Sequence, residues 1–185
     1  MELLAVSGSL RSASSNRTLL EAGAALAPAG VAVRLSEHLA ELPHFNPDLD
    51  GAARPPAATV WAGAVGAADG LLISTPEYAH GLPGAFKNGL DWLVSDPAMV
   101  GKPVAIWRMS AVRGEYAHAS LVEILTTMSM HIVPEAALTL PLLSAPPDLT
   151  TLIETPALSE ALRQALTAFA RVIREGAGCT PGATR

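Results

Sequence analysis

Apolar residues along the chain fall into two recurring patterns. Short, mostly apolar runs at Leu3–Val6, Val31–Leu35, Gly70–Ser74, Pro103–Met109 and His131–Ala137 predict strands. Between them lie segments that predict helices: Arg17–Ala27, Pro83–Ser95 and His118–Ser129. A further helix is expected where Val60, Trp61, Ala64, Val65 and Ala68 recur at helical spacing. Leu158, Leu162, Leu166, Phe169 and Ile173 form an apolar stripe on a last helix. Pro83 stands in a first turn, where its missing N–H costs nothing. The polar, proline-rich stretch from Glu37 to Pro56 is too long for a simple connector.

Strand and helix therefore alternate. Strands that are apolar throughout suit a parallel sheet covered on both faces. Five of them predict an α/β, doubly wound five-stranded parallel sheet in the order 2-1-3-4-5, with helices on both faces. In that order the first and third strands are neighbours whose following helices lie on opposite faces. A crevice opens between the loops that leave them, and ligands bind there. The loop Ser7–Asn16 is thus expected to face the loop Thr75–Leu82.

The first loop, Ser7-Gly8-Ser9-Leu10-Arg11-Ser12-Ala13-Ser14-Ser15-Asn16-Arg17, is dense in hydroxyls and runs from a strand into a helix. A helix N-terminus has unpaired N–H groups and partial positive charge, so the pattern reads as an anion site. Ser9, Arg11, Ser14, Ser15 and Asn16 are candidate partners for a phosphate monoester, Arg11 through its planar fork. Read alone, Ser/Asn clusters also build ordinary turns and caps. The loop lacks a Gly-x-Gly-x-x-Gly pattern and a Gly-Lys-Ser/Thr ending, which disfavours Rossmann dinucleotide and triphosphate sites.

In the second loop, Pro76 and Pro83 stiffen the chain, Gly81 and Gly84 allow close backbone approach, and Tyr78 sits at the tip. Backbone N–H groups here can donate to the carbonyls and ring nitrogens of a planar heterocycle. A phosphate monoester in one loop and a flat ring in its neighbour together describe flavin mononucleotide, FMN. Taken singly, Tyr78 reads equally as a half-exposed loop aromatic, and His80 as a surface residue.

Composition narrows the partners. The 185 residues fit one domain, residues 1–175, followed by a flexible tail, residues 176–185, which carries the lone Cys179 and leaves no internal disulfide. Half the residues are hydrophobic and 16% are charged, which favours a buried core over disorder. A net charge of −5 argues against broad nucleic-acid binding, so phosphate must be held by local groups. The five histidines show no metal-ligand spacing, and no metal is expected. No run approaches the ~20 apolar residues that span a membrane, and the N-terminus shows no secretory pattern. No membrane partner and a cytoplasmic location are expected.

Gly8-Ser9-Leu10-Arg11-x-x-Ser14-x-Asn16 and Pro76-Glu77-Tyr78-x-His80-x-x-Pro83-Gly84-x-x-Lys87-Asn88-x-x-Asp91-Trp92 resemble the two signatures of the NADPH-dependent FMN reductase family. The resemblance runs from the first strand to about Pro141. It implies a flavodoxin-like fold and an enzyme that passes a hydride from NADPH, or NADH, to FMN and on to a small acceptor. The acceptor would be a quinone, free flavin or azo compound, reduced in a ping-pong cycle with no catalytic side chain. It implies that Ser9, Arg11, Ser14 and Asn16 hold the phosphate, and that Pro76, Glu77, Tyr78 and Ala79 line the ring. Ser110 would close the site from a third loop, with Tyr78 and His80 on the substrate side; Arg113 reads either as a nicotinamide-side cation that contacts the 2′-phosphate of NADPH or as a solvated loop cation. It also implies a homodimer or homotetramer with the helix Pro83–Ser95 near the interface, where Glu77 and Lys87 pair across or within subunits. Relatives commonly carry Asn where Ala79 stands and Ser where Gly81 stands. A non-enzymatic FMN carrier or redox sensor, and a phosphosugar or nucleotide enzyme on the same fold, are the competing readings.

Overall fold

The computed structural model describes residues 1–109, 114–140 and 145–178. At its centre, β1 (Glu2–Ser7) pairs in parallel with β2 (Ala32–Leu35) on one side and β3 (Gly70–Ser74) on the other. Beyond β3 lies β4 (Pro103–Arg108), and β5 (His131–Ile132) follows it, giving the order 2-1-3-4-5. A sixth strand, β6 (Leu138–Thr139), also pairs in parallel with β4. The single strand expected over His131–Ala137 is thus two short ones. Pro134 has no N–H for a ladder, and Pro134–Ala136 forms a 3-10 turn instead. The break leaves the Ala136 carbonyl to accept from Trp107 Nε1 at 3.0 Å.

The unbroken apolar strands follow from two-sided burial. Leu3, Ala5, Leu72, Ala105 and Trp107 pack on one face, against α1 (Ser15–Ala25), α5 (Leu149–Glu154) and α6 (Pro156–Gly178). Leu4, Val6, Leu71, Ile73, Val104 and Ile106 pack on the other, against α2 (Pro56–Ala67), α3 (Gly84–Asp91) and α4 (Glu115–Thr127). Successive side chains leave a strand on opposite faces, so only apolar residues at both parities suit both cores. The edge strand β2 is half-buried, with Arg34 reaching Glu2 at 3.3 Å.

Two helical stripes differ from expectation. On α2 the buried residues are Ala58, Trp61, Ala62 and Val65, while Val60 points to solvent. The helix α3 is shorter than Pro83–Ser95, and Phe86, Leu90, Trp92 and Leu93 are all buried within this chain. That apolar surface is covered by the sheet and by the long loop. The loop is pinned to α3: Asn88 accepts from the Phe45 N–H at 2.7 Å, and both Asn88 and Trp92 donate to the Pro43 carbonyl. Arg54 holds Asp50 and Asp96 near its far end.

Candidate functional site

The loops that leave β1 and β3 meet at the carboxyl ends of those strands. The Gly8 N–H donates to the Ser74 carbonyl at 2.9 Å, extending the ladder by one residue. A Cβ on Gly8 would lie 2.1 Å from Thr75 Oγ1 and 2.7 Å from Thr75 Cβ, so glycine is what allows this approach. Ser74 Oγ then donates to Asn16 Oδ1 at 2.9 Å, in a fully buried bond between β3 and the first turn of α1. The sequence reading gave Asn16 only to a phosphate; the structure also makes it a fastener between the two loops.

The turn into α1 is built from the expected residues. Ser14 caps the helix, its Oγ accepting from the Arg17 N–H. Ser9 is buried, and its Oγ accepts from the Arg11 N–H at 3.3 Å, drawing the loop round towards the helix start. Ser15 opens α1 and is half-buried. Arg11 itself is exposed and forms no ion pair among the described residues. Arg17 differs: it reaches Glu21 at 2.8 Å and takes both oxygens of Glu37 at 2.8 and 3.1 Å. That fork holds the Glu37 carboxyl below its ordinary pKa, and the two acids hold the guanidinium fully charged. The Arg17 charge is therefore compensated, while Arg11 has no carboxylate partner among the described residues. A cleft of about 350 Å³ opens beside this loop, between it and Ser36–Ala40 after β2.

The loop after β3 is a tight hairpin. Tyr78 and Gly81 exchange both backbone bonds at 3.0 Å around Ala79 and His80. Both central residues are left-handed, Ala79 at φ 49° and His80 at φ 58°, as a two-residue type I′ turn requires. Histidine is among the residue types that tolerate this region but alanine is not, so the turn holds strain at Ala79. Two contacts with α4 support it. The imidazole of His80 stacks on Tyr116 with ring centroids 4.2 Å apart. Glu77 Oε2 accepts the Ala117 N–H at 2.9 Å, capping a helix whose N-cap residue, Gly114, has no side chain to do so. Glu77 is thus engaged by α4, and Lys87 pairs with Asp91 on its own helix. Within the chain, these two contacts stand in place of a Glu77–Lys87 pair.

Pro76 is half-buried, and Tyr78 stands 50% exposed at the same edge of the sheet. Ser110 and Arg113, expected to close the site from a third loop, lie outside the described residues, as does Cys179. Beside that loop, Arg108 pairs with Glu115. His118 Nδ1 is buried without a hydrogen-bond partner among the described residues. Burial first, and the Arg108 charge second, push this imidazole below its ordinary pKa. Sequence reasoning missed Gly8, Thr75, Ser74, Tyr116 and Glu37. The one local signal among these contacts was the helical spacing of Arg17 and Glu21.

Among the described residues no group of acids, histidines or cysteines is placed to hold a metal, and no helix is long and apolar enough to cross a membrane. A family model described as NADPH-dependent FMN reductase matches residues 1–142. The chain is 37% identical over 115 residues to an NAD(P)H-dependent FMN reductase of Pseudomonas aeruginosa, a match that covers 61% of this chain and 62% of that protein. A quinone reductase of Escherichia coli is 34% identical over 57% of this chain and 58% of its own length. The chain thus spans roughly three-fifths of these curated relatives (62% and 58%). A quinone reductase of Pseudomonas putida is 34% identical over 141 residues, 72% of this chain and 75% of that protein. Among solved structures, the flavoenzyme NAD(P)H:(acceptor) oxidoreductase of Paracoccus denitrificans superposes with a TM-score of 0.73 at 25% identity, over 94% of this chain and 97% of that one. A flavodoxin of Bacillus cereus, 15% identical, superposes with a TM-score of 0.60 over 92% of this chain and 98% of its own, which shows the flavodoxin-like fold.

Proposed function

The chain belongs to the NADPH-dependent FMN reductase family, and from that premise we propose that it is an FMN-dependent NAD(P)H oxidoreductase acting on a small acceptor, a quinone, free flavin or azo compound. The observation that carries this reading is the cradle at the start of α1. There an arginine without an ion pair stands beside a buried serine and a capped helix N-terminus, at a point where Gly8 lets the β3 loop close in. These residues fit a phosphate monoester bearing a planar ring. When bound, FMN supplies the redox chemistry, taking a hydride from NADPH or NADH and returning two electrons to the acceptor in a ping-pong cycle.

The chain's own residues bind and orient. Arg11, Ser9, Ser14, Ser15 and Asn16 hold the phosphate. The backbone of Pro76, Glu77, Tyr78 and Ala79, with Ser110, lines the ring, and the Glu77 and Ala79 N–H groups are the donors where negative charge develops. Tyr78, His80 and Arg113 face the nicotinamide and acceptor, and the Glu77–Ala117 bond holds the hairpin in place for that task. Residues 1–175 form one FMN-binding domain, assembled as a homodimer or homotetramer in the cytoplasm.

An absorption spectrum tests the reading directly. FMN should give a protein-bound band near about 450 nm that bleaches when NADPH is added without oxygen. Absence of a bound band with excess FMN overturns the assignment, and a band that does not bleach turns it into a carrier or sensor. Arg11→Ala should weaken FMN binding by about 2–3 kcal/mol, roughly 30- to 150-fold, and unchanged affinity would remove Arg11 from the site.

A further inference from the structure

The β2 half of the cleft beside the phosphate loop, lined by Ser36, Glu37, Leu39 and Ala40, has no task in the reading above. The cleft lies on the β2 side of that loop, with Leu10, Leu39 and Ala40 as its apolar lining and Ser12, Ser36 and Glu37 as its polar one. At about 350 Å³ it is within the range of small-ligand sites, which runs from roughly 300 to 1,000 Å³. It shares Ser9 and Arg11 with the phosphate site. A ligand anchored at the start of α1 can therefore continue into it.

We infer that this cleft takes the adenosine half of flavin adenine dinucleotide, FAD, so that the chain holds the dinucleotide as well as the mononucleotide flavin. The inference rests on the assignment of Ser9–Asn16 as the phosphate site. Leu10 is 56% exposed, which leaves an apolar side chain free at the mouth for a base to cover. Glu37 follows β2, the strand beside β1. A carboxylate after the neighbouring strand is how dinucleotide folds read ribose hydroxyls. Its two contacts from Arg17 keep it ionised and leave lone pairs for those hydroxyls. Arg11 stands where a second phosphate would follow the first. Its side chain takes the role that a glycine-rich turn gives to backbone N–H groups, so the missing glycine fingerprint is no obstacle. Glu37 also decides which adenosine fits, because a 2′-phosphate placed against this carboxylate would be repelled. The adenosine half of NADPH is thereby excluded.

Flavin-fluorescence titration of the full chain, freed of co-purified flavin, tests this with FMN and FAD as probes. Wild type should bind FAD within about tenfold of FMN. Ala40→Trp fills the cleft from an exposed position outside the phosphate site. It should weaken FAD at least tenfold while leaving FMN within twofold. Glu37→Gln should weaken FAD three- to tenfold relative to FMN, read as the ratio of the two affinities. FMN binding without FAD binding overturns the inference and leaves the proposed function standing. Equal effects of Ala40→Trp on both flavins, or none on either, also overturn it. Failure of both flavins to bind would sink the phosphate-site assignment and the inference together.

Discussion

A methyl group placed on Gly8 reports how tightly the loops after β1 and β3 are joined. The added Cβ of Gly8→Ala would sit 2.1 Å from Thr75 Oγ1, 2.7 Å from Thr75 Cβ and 3.1 Å from Phe86 Cδ1. Turning the Thr75 side chain relieves the first contact but not the second, since Cβ is fixed to the backbone. Phe86 is fully buried and cannot swing out. Carbon atoms settle at about 3.5–4 Å, so the loops must part by on the order of 1 Å. That movement opposes the Gly8–Ser74 and Ser74–Asn16 bonds, each 2.9 Å long. Overpacking costs roughly 1–3 kcal/mol, and a weakened buried hydrogen bond adds about 1. The expected loss is about 2–4 kcal/mol. At about 2–4 °C per kcal/mol for a chain of this size, Tm falls by roughly 4–16 °C. Thermal melts of Gly8→Ala, Thr75→Gly and the pair form a double-mutant cycle, in which Thr75→Gly should recover most of the loss. A Gly8→Ala melt within about 1 °C of wild type, or an undiminished loss in the Thr75→Gly background, would refute the close approach.

Three further perturbations probe the surroundings of the site. Ala79→Asn suits the left-handed backbone and should raise stability by about 0.5–1 kcal/mol, whereas the β-branched Ala79→Val should lower it by more than about 1, read from denaturant midpoints. Glu77→Ala removes the cap on α4 and should cost about 1 kcal/mol. Hydrogen exchange should quicken at the first turn of that helix, and unchanged protection there would argue against the cap. Asp50, held by the Ser95 hydroxyl first and Arg54 second, has its carboxyl lowered from 3.8 to about 2. The unfolded chain therefore binds the proton more readily, and the stability from this group, complete above 3.8, drains away as pH falls towards 2. Asp50→Asn should flatten that acid limb of Tm against pH, and an equally steep limb would show that Asp50 does not set it.

Much of the architecture is legible along the chain because strand and helix periodicity are local consequences of backbone geometry. Leu3–Val6 and Gly70–Ser74 declare two-sided burial by being apolar at both parities, and the sheet order follows from the alternation of strands with helices. The phosphate loop is legible for the same reason, since a strand, a run of hydroxyls and a helix start are all contiguous. Trp92 and Phe86 were less so. The residues that cover them come in part from a loop some 45 positions earlier, as the 49-residue reach from Trp92 Nε1 to Pro43 shows.

By itself, then, the sequence determined the fold class and the strand order, and it marked the loop proposed to meet an anion. Those rest on patterns within an element or turn and on the alternation of elements along the chain. Only the tertiary structure decided the partners. Asn16 meets Ser74 across 58 positions, Glu77 caps α4 across 40, and Arg17 reaches Glu37 across 20. A polar side chain shows in the sequence that it needs a partner, but not which one, because that depends on where the sheet brings distant loops together. The same convergence made the cleft beside the phosphate loop and freed Arg11 by giving both nearby acids to Arg17.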